Sequence, residues 1–379
     1  MIVIAKAADV SIQPRVLKVA NKVNKLGYEC RVVGIASSVK YLMNDGMENI
    51  VNVDAQLFKP IANITILRRL MKLVRFVRAM SMKRVKLYLV HDNLSLGIAC
   101  FLKFFNREVK ICYMGDELEI DRGFQGIKKY SVLMLMKYGT KKCEYLFQAD
   151  NNRKILFERF TKRENIKVLR NVPERVDSFS PVNIRRDLNL PEDCLIFIYT
   201  GSISNNRGIE NTMEALCMLS NHVNCCYLLI GWGQDQYIRD VETLIKKKKS
   251  KFPNFWGYIK KPMPMSELMN WSHSSDVGLS LIKNFSMSYY LGTPSKVYEY
   301  MMAGIPFITS NFPENRGVVE DTGAGILANP DSIDDIYVAL KEITSDTDKM
   351  REMGKLGRSA ALNKYNWEKE SEILDVIFS

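Results

Sequence analysis

The chain has no uninterrupted apolar run of about 18 residues, the length a membrane-crossing helix needs. Its opening, MIVIAKAADVSIQPRV, lacks the basic region, apolar stretch and small-residue cleavage site of a secretory leader. Histidine is scarce, at three residues. The eight cysteines (Cys30, Cys100, Cys112, Cys143, Cys194, Cys217, Cys225 and Cys226) include no C-x-x-C pair. Zinc binding and a disulfide framework are therefore not expected, and buried free thiols in a reducing compartment are. The single D-x-D string, Asp346-Thr347-Asp348, stands just before a helical stretch at Met350–Leu356. Helix capping, not metal binding, is its expected role. No repeat of solenoid period and no low-complexity tail is present.

What is there is a chain of 379 residues, long enough for two domains. Its net charge of +12 is unevenly spread: residues 1–190 carry +17 and the remainder −5. Such asymmetry points to a polyanionic surface, membrane or nucleic acid, as partner of the first half. Residues Lys59–Lys86 hold nine Lys or Arg and no acid. Within them Ile64, Leu67, Leu70, Met71, Val74 and Val77 recur at helical spacing. Arg68, Arg69, Lys72, Arg75 and Arg78 lie on or beside the other face. A basic amphipathic helix of this kind either packs on a core or lies in a bilayer interface. Lys128–Lys142 adds five basic residues without an acid. No RNA-binding aromatic motif, zinc finger or helix-turn-helix signature favours nucleic acid, so the membrane is the expected anionic partner.

Strand and helix patterns alternate from the start. Ile2–Ala5 reads as a strand, Pro14–Leu26 as a helix ended by Gly27, and Cys30–Ile35 as the next strand. Leu87–His91, Val109–Tyr113, Tyr145–Phe147 and Ile166–Leu169 continue the strands; Ile64–Met80, Leu96–Phe105 and Gly126–Tyr138 are helical. Asn171–Leu190, with Pro173 and Pro181 and no regular period, is the candidate linker. A second α/β pattern begins at Leu195–Thr200. It runs through Gly208–Leu219, Cys225–Ile230, Val277–Leu281, Tyr298–Ala303, Phe307–Thr309 and Asp334–Thr344. The fold class is α/β, with two Rossmann-like doubly wound domains facing a central cleft.

Two segments carry chemistry. In Tyr199-Thr200-Gly201-Ser202-Ile203-Ser204-Asn205-Asn206-Arg207-Gly208 a strand meets a glycine loop and then a helix. The open amides of a helix N-terminus bind anions, and Arg207 adds a forked donor suited to phosphate. No G-K-[ST] follows, so it is not a P-loop; a plain strand-to-helix turn remains the alternative. In Pro294-Ser295-Lys296-Val297-Tyr298-Glu299-Tyr300, Lys296 and Glu299 share a helix face. A carboxylate there accepts ribose hydroxyls and a lysine offsets diphosphate charge. The same spacing also describes a weak surface ion pair.

GSISNNRGIENTMEAL, YLLIGWGQD, FWGYI, SDVGLSLI and PSKVYEYMMAGIPFITS, in that order, resemble the donor-binding half of glycosyltransferase family 4. PRVLKVANKVNKLGYECRVVG, CYMGDELE, ADNNRKILFERF and KVLRNVP resemble its first half. The resemblance implies an N-terminal acceptor-binding domain over 1–175, a nucleotide-sugar domain over 190–360, and a last helix within 361–379 returning to the first domain. It implies a retaining, metal-independent hexosyltransferase. A nucleotide-diphosphate sugar would be co-substrate, with no other cofactor, and the acceptor a lipid-linked or glycan hydroxyl. The enzyme would sit in the cytoplasm, on the inner face of the membrane. Glu299 would hold the ribose, Arg207 and Lys296 the diphosphate, Gly201 and Ser202 the loop, and Gly257 and Tyr258 the base.

The pattern departs from the family at three places. Leu291 stands where the first glutamate of the E-x7-E motif falls. Ser202 replaces an arginine common after the glycine. Asp116 takes the place of a catalytic histidine. Asp116 or Glu117 would then hydrogen-bond donor sugar or acceptor; capping a helix is the other reading. These departures keep alive a degenerate scaffold binding an anionic partner, with a sugar-nucleotide epimerase as the other enzyme class. His91-Asp92-Asn93 is a further polar cluster at a strand end.

Overall fold

The computed structural model describes residues 1–8, 10, 13–35, 50–53, 65–121 and 125–378, apart from the side chains of 50–53 and 65–69. The chain divides into two units, Met1–Asn171 with Ser371–Ser379, and Val172–Glu370.

The first unit runs β1 (Ile2–Ala5), α1 (Pro14–Lys25), β2 (Cys30–Ile35), β3 (Ile50–Val53), α2 (Thr65–Met80), β4 (Leu87–Val90) and α3 (Asn93–Phe105). It continues through β5 (Lys110–Gly115), α4 (Gly126–Gly139), β6 (Tyr145–Gln148), α5 (Asn151–Thr161) and β7 (Lys167–Val168). Its parallel sheet has the order β3-β2-β1-β4-β5-β6-β7. The order reverses between β1 and β4, the place where such sheets take ligands at their carboxyl ends. Helix α1 forms because Val16, Val19, Ala20 and Val23 bury on one face, with Pro14 at its first turn. On α2 the buried residues are Phe76 and Met80. Ile64 and the side chains of Leu67, Arg68 and Arg69 lie outside the described residues.

The second unit runs α6 (Ile184–Asp187), β8 (Leu195–Ile203), α7 (Ile209–Leu219), β9 (Cys225–Gly233), α8 (Asp235–Lys249), β10 (Phe255–Lys260), α9 (Met265–His273) and β11 (Val277–Ser280). After these come α10 (Met287–Tyr290), α11 (Ser295–Ala303), β12 (Phe307–Ser310), α12 (Pro313–Thr322), β13 (Gly325–Ala328), α13 (Ile333–Thr344), α14 (Thr347–Asn363) and α15 (Trp367–Glu370). Its parallel sheet has the order β10-β9-β8-β11-β12-β13, reversing between β8 and β11. Strand β8 is buried on both faces, as central parallel strands are. Phe197, Tyr199 and Ile203 enter one apolar cluster with α7 and α13. Ile196 and Ile198 enter the other with α9 and α11. Each such side chain contributes about 1.5–3 kcal/mol of burial.

The stretch read as a linker is packed structure. Val172, Ile184 and Leu190 are buried in the second unit's core, and the Trp367 amide donates to the Pro173 carbonyl at 2.8 Å. Periodicity misses it because isolated apolar residues spaced irregularly along a proline-bearing segment can still find holes in a neighbouring surface. The last residues belong to the first unit, where Phe378 stacks on Tyr28 at 4.9 Å and Asp375 pairs with Lys22 at 3.0 Å. Asp346 caps α14, accepting from the amides of Asp348 and Lys349. All eight cysteines are buried and free.

Candidate active site

In the second unit the chemistry-bearing residues gather at the carboxyl ends of β8 and β11. Gly201 has φ of +115°, and a side chain there would meet the Lys296 ammonium at 3.5 Å. Gly231 lets β9 approach: an added Cβ would lie 1.7 Å from the Gly201 carbonyl oxygen. Tyr300, on α11, sends its hydroxyl into the sheet. It donates toward the carbonyls of Ile198 (3.3 Å) and Leu279 (3.1 Å) and accepts from the Thr200 amide at 3.2 Å. That one hydroxyl ties α11 to both β8 and β11 at the reversal point. Gly278 makes room for the ring.

Fixed in this way, α11 presents Lys296 beside the glycine loop. Its Nζ lies 4.3 Å from the centre of the Tyr199 ring, a cation–π contact. Burial lowers the Lys296 pKa to about 7, with Arg207 adding to the effect and Glu299 opposing it. Arg207 lies over Tyr289, Cζ to ring centre 5.0 Å, and donates from Nη2 to the Tyr289 hydroxyl at 3.3 Å. Among the described residues its buried Nε has no hydrogen-bond partner. Arg207 makes it harder to charge the solvent-stripped Lys296, and an anion beside the two relieves that cost. Glu299 follows one turn after Lys296 and is half-buried. Gly208, at φ +67°, starts α7 with no side-chain cap, and a Cβ there would lie 2.1 Å from the Leu281 carbonyl oxygen. Ser202 lies near the end of β8, which runs on past the glycine to Ile203, and its carbonyl accepts from the Tyr199 hydroxyl at 2.6 Å.

Arg207, Lys296, Glu299, Gly201 and Ser202 are thus brought together. Gly257 and Tyr258 stand apart on edge strand β10, where Gly257 pairs with Tyr227 below the strand ends. Gly257 faces Ile245 closely, and the Tyr258 hydroxyl donates to the Leu188 carbonyl at 3.0 Å. Leu291 caps the end of α10. Sequence reasoning passed over Tyr199, Tyr289 and Tyr300. None of the three stands next to a basic residue in the sequence, so the contacts they make leave no local signal.

In the first unit a second charged group forms where its sheet reverses. Asp116, just past β5, pairs with Lys6 Nζ at 2.6 Å, Arg15 Nε at 3.1 Å and His91 Nδ1 at 3.2 Å. Lys6 follows β1, His91 follows β4 and Arg15 sits in the first turn of α1. Arg153 Nη1 donates to the Asp116 carbonyl at 3.0 Å. Burial acts to raise the Asp116 pKa, but His91, Lys6 and Arg15 outweigh it and hold the carboxyl well below the usual range. A carboxylate so held stays charged; it accepts hydrogen bonds and orients its neighbours, and it does not deliver protons. The helix cap of this region is Asp92, which accepts from the Ser95 amide at 2.8 Å at the start of α3. Glu117 is half-buried beside the cluster.

Residues 182–360 match the family described as Glycosyl transferases group 1. A curated relative, spore coat protein SA of Bacillus subtilis (strain 168), is 26% identical over 188 residues, 47% of this chain and 47% of the relative. The match thus spans about half the length of that protein. Among solved structures, sucrose-phosphate synthase from Thermosynechococcus elongatus aligns with a TM-score of 0.78 at 17% identity, covering 100% of this chain and 98% of that one. HepE of Anabaena, in complex with UDP and glucose, aligns at 0.76 and 13% identity, with coverage of 100% and 98%. A glycosyltransferase from Rickettsia africae aligns at 0.71 and 14%, with coverage of 100% and 97%. At these identities the structures establish the fold, two doubly wound parallel α/β units of the GT-B class, and the sequence match establishes the family of the second: residues 182–360 are a glycosyl transferases group 1 domain.

Proposed function

We propose that the chain transfers a sugar from a nucleotide-diphosphate sugar to a hydroxyl acceptor. The observation that carries this reading is the convergence of Arg207, Lys296 and the glycine loop at the carboxyl ends of β8 and β11. The diphosphate is seated against those two cations and the start of α7, and Glu299 takes the ribose. As the glycosidic bond breaks, negative charge grows on the leaving diphosphate, and fixed positive charge there lowers the barrier. By the family resemblance, Gly257 and Tyr258, on edge strand β10 two strands away from β8, would meet the base through their backbone.

The family resemblance supports retention of configuration without a metal, the diphosphate charge being met by side chains and backbone. Asp116 is a positioning carboxylate in this reading. It holds Lys6, Arg15 and His91 in place for the acceptor, with Glu117 beside them. A lipid-linked intermediate of cell-surface glycan synthesis suits the strongly basic first half, with attachment at the anionic inner face of a membrane. HepE, which shares the fold, was solved with UDP and glucose, and a uridine nucleotide is the first donor to try.

The test is a donor screen across UDP and GDP sugars, scored by release of nucleoside diphosphate. Turnover of at least one donor, reduced about a hundredfold or more in Arg207→Ala, is expected, the size of effect seen when a fixed charge on a leaving group is removed. Binding without turnover, with any acceptor supplied, would favour the degenerate scaffold.

A further inference from the structure

Helix α4 is apolar on two sides. Val132 and Met136 are buried against the first unit's core, as a surface helix requires. Ile127, Tyr130, Met134 and Tyr138 recur at spacings of three and four residues on the other side, so they form one stripe along the helix. That stripe is open to solvent: Ile127 is 86% exposed and Tyr130 71%. Helix α3 lies alongside, with Gly97 against Leu135 and the Lys103 ammonium reaching the Lys142 carbonyl at 3.4 Å. At its end Phe104 and Phe105 are 70% and 71% exposed and pack edge to face with each other. A groove lined by Val77, Met82, Phe101 and Phe105 joins α3 to α2, whose Leu70, Leu73 and Val74 are exposed in turn.

Soluble proteins seldom leave so much contiguous aromatic and aliphatic surface open without a partner for it. The charge pattern names the partner. Helices α2, α3 and α4 contain nine Lys or Arg and no Asp or Glu. A second copy of this basic face would bring its own positive charge, and a protein partner would need an unusually acidic complement; Glu144, an acid near it, is already paired with Lys103. An anionic bilayer supplies negative charge over an extended plane and an apolar layer just beneath it. No helix among the described residues is long and apolar enough to cross a membrane, so the contact is interfacial. Lys141 sits over the Tyr138 ring at 5.2 Å, an arrangement of amphipathic ring and cation suited to the headgroup depth.

We infer that the α2–α3–α4 layer is a lipid-binding face. The α4 stripe and the phenylalanines ending α3 enter the interface, and the flanking lysines and arginines bind anionic headgroups. This deepens the membrane element of the proposed function and stands on exposure and charge alone, so it does not need the transferase chemistry.

The test is sedimentation of the full chain with vesicles of phosphatidylcholine alone, or with about 30 mol % phosphatidylglycerol, at low and high salt. Wild type is expected to bind the anionic vesicles, less at high salt, and to leave the neutral ones. Ile127→Ser with Tyr130→Ser and Met134→Ser is expected to weaken binding at least tenfold. A second variant, Lys128→Gln with Lys129→Gln and Lys137→Gln, keeps the apolar stripe and is expected to weaken it about fivefold per charge. Thermal unfolding and nucleotide-sugar binding should be unchanged in both. Vesicle binding equal in wild type and variants, or none in wild type, overturns the inference. So does a concentration-dependent dimer that the stripe variant abolishes, which would make the face a self-association surface. Vesicle binding in a chain that binds no donor would instead count against the transferase reading alone.

Discussion

A buried lysine whose amine titrates near neutral pH makes donor binding a proton-linked event. Lys296 has its pKa lowered to about 7 from 10.5, chiefly by burial, with Arg207 adding to the effect. The unfolded chain keeps a proton that the folded protein releases, so stability of the ligand-free protein rises as pH rises from about 7 toward the ordinary lysine value. A bound diphosphate works the other way: its charge draws the proton back onto Nζ. If binding restores an ordinary lysine pKa, about 0.9 proton is taken up per donor bound at about pH 8. Donor affinity then falls about fivefold between pH 7 and 8 and about tenfold more by pH 9. A nucleotide-diphosphate sugar is the right ligand, because its diester-like phosphates do not titrate there. Calorimetry in two buffers of different ionisation enthalpy reads the uptake directly. Lys296→Met should bind weakly and with no proton uptake. Uptake near zero in wild type, or the same uptake in Lys296→Met, would mean that Lys296 is not the group that takes up the proton.

Two further outcomes follow from the packing. Gly208→Ala puts a Cβ 2.1 Å from the Leu281 carbonyl oxygen at a left-handed φ, and is expected to cost on the order of 3 kcal/mol in urea denaturation; a loss below about 1 kcal/mol would show that the loop relaxes. Asp116→Asn leaves Lys6 and Arg15 without their buried counter-charge and is expected to cost on the order of 3–5 kcal/mol at neutral pH. Because the carboxyl is held below its ordinary value of 3.8, its contribution is present above that value and lost as pH falls below it. The wild-type acid limb should therefore be steeper than that of the Asn variant. Equal acid limbs would mean the ion pairs are not formed in solution.

Much of this architecture could be read from local pattern. The unbroken apolar run Leu195–Thr200 leading into Gly201, and the helix Ser295–Ala303 with Lys296 and Glu299 on one side, were legible because strand, loop and helix are contiguous. The Asp346 cap was legible for the same reason. What was not legible depends on distant partners. From sequence Asp116 reads as a carboxylate that hydrogen-bonds donor sugar or acceptor, or as a helix cap; its ion pairs with Lys6, 110 residues away, and with Arg15 appear only in the fold. Tyr289 lies 82 residues from the Arg207 it stacks on. Strand β3 is four residues long and includes Asn52, too short for a periodic signal. On α2 the 3.6-residue period showed that an apolar stripe exists but not which residues face the sheet: Phe76 and Met80 do, and Leu70 and Val74 turn outward. A period gives faces; tertiary packing decides which face is covered.

The proposed donor site sets Arg207 and Lys296 on the diphosphate and Glu299 on the ribose. Titration of UDP-glucose and GDP-mannose into wild type, Arg207→Ala and Glu299→Ala, each first shown to be folded by thermal melting, tests it most directly. Measurable binding of at least one donor to wild type is expected, with a loss of at least tenfold in each variant, since each removes a charge-assisted contact. Donor binding of undiminished strength in both folded variants would contradict it.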